Sequence, residues 1–112
     1  MYLYIASNNI LKEQNKWYIG VSTEKDISRI KHELKLTPQG CVDFIIDSME
    51  ALEIFLHVKK TIDSTWVNED NILVEGDHGR LAHILTQVTS EYERSHPSLR
   101  RSFIRWITKV EA

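Results

Sequence analysis

Apolar and polar positions change rhythm several times along the chain. Tyr2 to Ala6 is an aromatic and β-branched run that predicts a strand; Ser7-Asn8-Asn9 carries turn chemistry, and Lys12 to Lys16 reads as a polar loop. Trp17 to Ser22 predicts a second strand, so the start of the chain reads as an antiparallel hairpin with a long loop. Ser22 or Thr23 is placed to cap a helix whose first turn carries Glu24 and Asp26 at the positive end of its dipole. Ile27, Ile30 and Leu34 recur at helical spacing as its buried stripe, and Thr37-Pro38-Gln39-Gly40 ends it. Cys41 to Ile46 predicts a third strand. Asp47-Ser48-Met49-Glu50 then has the form of a capping box before a helix from about Met49 to Ile62, with Leu52, Phe55, Leu56 and Lys59 marking its changing faces. Trp66-Val67 and Asn71 to Val74 read as short strands around a turn. Leu81, Ile84, Leu85 and Val88 predict a helix from Asp77 to the break at Ser95-His96-Pro97, and Ser98 to Val110 reads as a last helix.

The resulting order, β-β-α-β-α-β(β)-α-α, predicts an α/β chain of the α+β kind. Its expected form is a small mixed or antiparallel sheet of three to four strands flanked by helices, with two additional C-terminal helices. At 112 residues the length suits one domain. Residues 1–76 read as its core and 77–112 as a helical extension packed on the same domain. Composition supports a folded chain: 42% hydrophobic and 27% charged residues are ordinary for a globular domain. No apolar run approaches the ~20 residues of a membrane span, and the first residues lack a signal peptide's basic start, so no membrane partner is expected. The single cysteine, Cys41, excludes an internal disulfide and a Cys-rich zinc site, and points to a cytoplasmic setting, or the interior of a host cell for a viral protein. His78, His83 and His96 have no metal-ligand spacing.

The net charge of −2 hides an asymmetry. From His78 onward six Lys and Arg residues face three acids, so the last third is basic and the rest acidic. Arg101, Arg105 and Lys109 fall at i, i+4 and i+8 of the last predicted helix, beside Phe103, Ile104, Ile107 and Val110. Such a stripe suits phosphates, although a helix packed on its own domain with its cations in solvent has the same pattern.

Candidate chemistry lies earlier. Arg29 sits between Ile27 and Ile30 on the first long helix, and Glu53 between Leu52 and Leu56 on the next, each at the margin of an apolar stripe. Either alone is the usual position of a snorkelling surface residue. Their order with the two tyrosine-bearing strands is more specific. Tyr2-Leu3-Tyr4, then Tyr18-Ile19-Gly20, then Arg29 and Glu53 on successive helices resembles the GIY-YIG endonuclease superfamily, in particular a branch common in phages and large DNA viruses, over roughly residues 2 to 75. Tyr2 stands where the family has Gly, and Asn68 and Asn71 are both positional candidates for its late Asn.

The resemblance implies metal-dependent hydrolysis of DNA phosphodiester bonds. Glu53 would ligate one Mg2+ or Mn2+, and Arg29 would clamp the scissile phosphate. Tyr4 or Tyr18 would polarise or deprotonate water, and Gly20 would let the substrate approach the backbone. His32, one helical turn past Arg29, is a further candidate base or phosphate contact. His57 stands in the same relation to Glu53. Two other readings use the same residues. In one, the fold binds nucleic acid or regulates without cleaving. In the other, the chain is an interaction module that forms a homodimer or docks on a host protein.

Overall fold

The computed structural model describes residues 1–36, 39–95 and 105–106. Runs rich in aromatic and β-branched residues, whose side chains point alternately to the two faces of the sheet, form strands β1 (Tyr2–Ser7), β2 (Lys16–Ser22), β3 (Cys41–Asp47), β4 (Ser64–Asn68) and β5 (Asn71–Glu75), joined by the two-residue β6 (Arg105–Trp106). Between them run helices α1 (Asn9–Glu13), α2 (Ile27–Glu33), α3 (Ala51–Thr61) and α4 (His78–Ser95). The strands form one sheet in the order β4-β5-β2-β1-β3-β6, with every neighbouring pair antiparallel.

The alternation divides the core in two. Leu3, Ile5, Trp17, Ile19, Ile72 and Val74 point to one face, where they pack with Phe55 and Val58 of α3 and Leu81, Leu85 and Val88 of α4. Tyr4, Ala6, Val42 and Phe44 point to the other, covered by Ile30, Leu34 and Leu36. The pairing of β1 with β3 shifts register between Leu3 and Tyr4: Leu3 faces Ile46 but Tyr4 faces Phe44. The extra residue, Ile45, joins Ile46 in the α3–α4 core, which is how a bulge re-aims side chains.

The α+β class is as expected, with several differences in detail. The sheet has six strands, all antiparallel, where three to four were expected. The first hairpin loop contains α1, because the Asn8 side chain accepts the Leu11 N–H at 2.9 Å and caps a short helix. Asp26, not Ser22 or Thr23, caps α2, accepting the Arg29 N–H at 3.0 Å, while the Ser22 hydroxyl folds onto the Glu24 backbone. Ile27 therefore opens α2 and is 44% exposed instead of joining Ile30 and Leu34 in the core. The helix stops at Glu33, where Lys35 adopts a left-handed conformation (φ 57°) and the Leu36 N–H returns to the Lys31 carbonyl at 2.8 Å. The Thr37-Pro38 part of the expected stop lies outside the described residues. The last predicted helix is corrected at Arg105 and Trp106. These are extended and pair with Asp47 and Ile46 of β3, where backbone pairing with a sheet edge prevails over the helical spacing of the side chains.

Glu50 departs from its expected capping role: it precedes α3 without a side-chain cap bond, and its carboxylate instead accepts the Tyr92 hydroxyl of α4 at 3.0 Å. On the same helix the Thr89 hydroxyl is buried with no partner among the described residues. Thr89→Val keeps the shape and removes the desolvated hydroxyl, so it is expected to raise stability by about 1 kcal/mol. A urea midpoint at or below the wild-type value would contradict this.

Candidate functional site

Three strands bring three of the relevant residues into one row. Tyr4 of β1 lies opposite Gly20 of β2, and Gly20 lies opposite Asn71 of β5. The Tyr4 hydroxyl donates to Asn71 Oδ1 across the top of Gly20. The missing side chain is what makes room: a Cβ on Gly20 would lie 2.5 Å from Tyr4 Oη and 2.6 Å from Tyr4 Cζ. The Asn71 amide in turn donates to Asn68 Oδ1 at 3.1 Å, and that oxygen also accepts the Asp70 N–H at 2.9 Å. Of the two asparagine candidates, then, Asn71 is the buried partner of the tyrosine and Asn68 organises the β4–β5 turn.

Burial is the main reason the Tyr4 hydroxyl titrates well above the usual tyrosine range; the nearby charges of Glu33 and Asp70 push the same way, against a smaller opposing effect of the Asn71 bond. Tyr4 thus stays protonated at neutral pH and serves as a hydrogen-bond donor, not a base. Tyr92 is raised to about 12, by burial first and then by Glu50, with Glu53 adding to it. A tyrosine raised in the folded state contributes stability that is fully present below its unfolded value of ~10 and is lost as pH rises through the folded one. Stability is therefore expected to fall above about pH 10, less so in Tyr4→Phe. Urea unfolding across this range checks it. At neutral pH Tyr4→Phe leaves Asn71 Oδ1 buried without its donor and is expected to cost about 1–2 kcal/mol.

Asn71 also lines a cavity of about 160 Å3 between the end of β2, the start of β5, α2 and the start of α3. Arg29, Glu33, Asp70, Ser22 and Leu52 face it as well. Arg29 Nε donates to Glu33 Oε1 at 3.0 Å, and its Nη1 lies 3.6 Å from Glu24 Oε2. The hydrogen bond to Glu33 is the leading cause of the raised guanidinium pKa. Both pairs are half exposed, which makes them weak as stabilising contacts.

The remaining expected residues are dispersed. Tyr18 is half buried against the α2-side core, two residues along β2 from Gly20, or about 7 Å. His32 is exposed on α2 and does not line the cavity. On α3 it is Leu52, not Glu53, that lines it; Glu53 is exposed, and its charge acts on Tyr92. His57 packs edge-on against Tyr92, ring centroids 5.3 Å apart. Arg105 is in β6, so the expected stripe of Arg101, Arg105 and Lys109 on successive turns of one helix is interrupted at its middle member; Arg101 and Lys109 lie outside the described residues.

Glu24, Glu33 and Asp70 are the site residues that sequence reading missed. Only Glu33 left a signal, its i+4 spacing from Arg29. Among the described residues no group of three or more His, Cys, Asp or Glu side chains is arranged to hold a metal ion. A hard cation such as Mg2+ asks for less, one or two carboxylates with water completing the shell. Glu33 and Asp70 are the carboxylates that line the cavity, whereas Glu53 is exposed and outside that lining. No helix among the described residues is long and apolar enough to cross a membrane. Comparison with protein-family models, with curated proteins and with solved structures finds no match for the chain.

Proposed function

We propose that the protein is a small GIY-YIG-type, divalent-metal-dependent DNA endonuclease acting at the Arg29 cavity. The observation that carries this reading is that Asn71, bonded to Tyr4 over Gly20, lines the same cavity as Arg29 in a chain whose β1, β2, α2, β3 and α3 follow the expected order. The work of the site divides by residue chemistry. Arg29 binds and orients the scissile phosphate through its planar fork. Tyr4, held protonated, fixes Asn71 at the cavity wall, and Gly20 leaves the room over the sheet in which that bond forms. A Mg2+ or Mn2+ ion, which the resemblance assigns to Glu53, would supply charge stabilisation at the phosphoryl and leaving oxygens, with Asp70 a carboxylate that lines the cavity with Arg29.

Incubation with supercoiled plasmid and Mg2+ or Mn2+ tests the reading. Wild type should nick or linearise DNA, Arg29→Ala should be slower by about 100-fold, and Glu53→Ala should be inactive. Wild-type cleavage no greater than that of the folded variants would sink it. A second reading, binding without cleavage, is favoured by one specific observation: the buried Tyr4 hydroxyl is committed as a donor to Asn71 and is unsuited to act as a base. It predicts retention on DNA that weakens with salt and no strand breakage under the same conditions.

A further inference from the structure

A guanidinium offers two bidentate faces, one formed by Nε and Nη2 and one by Nη1 and Nη2. In Arg29 a carboxylate stands near each, one hydrogen-bonded and one at ion-pair distance. Glu33 takes the first through Nε at 3.0 Å, and Glu24 approaches the second through Nη1 at 3.6 Å. A phosphate bound bidentately has to displace one of them. The rest of the neighbourhood adds to that resistance, since Asp70 lines the same cavity and Asp26 contributes its charge at Arg29 while its side chain caps α2.

We propose that Glu24 and Glu33 are specificity-determining residues of the cleft, which set its selectivity by competing with phosphate for Arg29. An isolated phosphate meets this competition with no contacts beyond Arg29 to offset it. A phosphodiester within a nucleic acid arrives with neighbouring contacts that help the displacement, so the cleft selects polymer over free anion. This rests on the phosphodiester reading of the cavity.

Both pairs are half exposed, so the substitutions are expected to leave the fold intact. Far-ultraviolet circular dichroism and thermal melts verify this first. Glu24→Gln, Glu33→Gln and the double variant are then compared with wild type for binding of a labelled DNA duplex and of inorganic phosphate. Glu33→Gln should bind the duplex about fivefold more tightly at low salt and the double variant about tenfold, with the gain shrinking as salt rises. Inorganic phosphate, undetectable or weak in wild type, should bind more tightly in the double variant.

Removing any negative charge helps DNA binding a little, so each substitution is repeated with Arg29→Ala, and Glu13→Gln on α1 serves as a distant control. The gain should vanish without Arg29 and be absent in Glu13→Gln. A gain of equal size without Arg29, or no gain for either ligand, overturns the proposal. If no form binds DNA, the nuclease and nucleic-acid readings fail. Selectivity for polymer fails with them, and the phosphate measurement decides the competition alone: tighter phosphate binding in the double variant that needs Arg29 upholds competition by Glu24 and Glu33, and unchanged binding overturns it.

Discussion

Gly20→Ala is expected to lower the stability of the protein by about 3 kcal/mol, because the added methyl group has no space to enter. Its Cβ would overlap Tyr4 Oη and Cζ as well as the Asn71 side chain. Neither neighbour can yield cheaply. Tyr4 is buried, packs edge-on against Phe44 with ring centroids 6.2 Å apart, and is tied to Asn71; Asn71 is buried and tied to Asn68. For a domain of this length the melting temperature should fall by roughly 12 °C, at ~4 °C per kcal/mol. The origin of the loss can be isolated with a double-mutant cycle: in an Asn71→Ala background the same substitution should cost less, since one of the overlaps has gone. Equal cost in both backgrounds would mean that Asn71 does not lie over Gly20.

Phe55→Ala should cost more, about 4 kcal/mol, by a different route. The ring is fully buried between α3, the sheet and α4, with the Lys59 ammonium 5.4 Å from its centroid. Its removal leaves a cavity that the flanking β-strands and helices are too regular to collapse into. Against the ~5–15 kcal/mol typical of a folded domain, that leaves little margin. Phe55 is not part of the cleft, so below the lowered melting temperature the variant should retain any affinity for DNA, whereas Gly20→Ala should lose both. Urea unfolding measures the stability term. A loss under about 1 kcal/mol would be incompatible with α3 docked through this residue.

Much of the fold was legible because most elements bury one face. Aromatic and β-branched runs marked β1, β2, β3 and β5, and apolar residues at helical spacing marked α2, α3 and α4. Elements that bury little left weaker traces. The five residues of α1 form on a single cap at Asn8, and no residue of that helix is fully buried. β6 is two residues long and pairs with an existing edge, which no local pattern in Arg105-Trp106 announces. The site was legible in order more than in placement. Arg29 lines the cavity while Tyr4 and Gly20 reach it only through Asn71, and the choice between Asn68 and Asn71 depends on the pairing of β5 with β2, a contact across some fifty residues. Glu53 shows the limit on a helix. One residue is about 100° of rotation, enough to put Leu52 at the cavity and the carboxylate outside its lining.

The bond between Tyr4 and Asn71 joins residues 67 positions apart. Strands β1, β2 and β3 can associate through loops of modest length, but the cavity has no wall until β5 docks on β2, after α3 has been bridged. Closing that long loop carries the larger entropic cost, so it belongs late in folding. During synthesis a chain that has emerged only as far as β3 therefore carries Arg29 and its two carboxylates without a pocket to place them in. Any phosphate-binding capacity should appear together with the last strand pairing, in the slower phase of refolding, and not with the early hairpin.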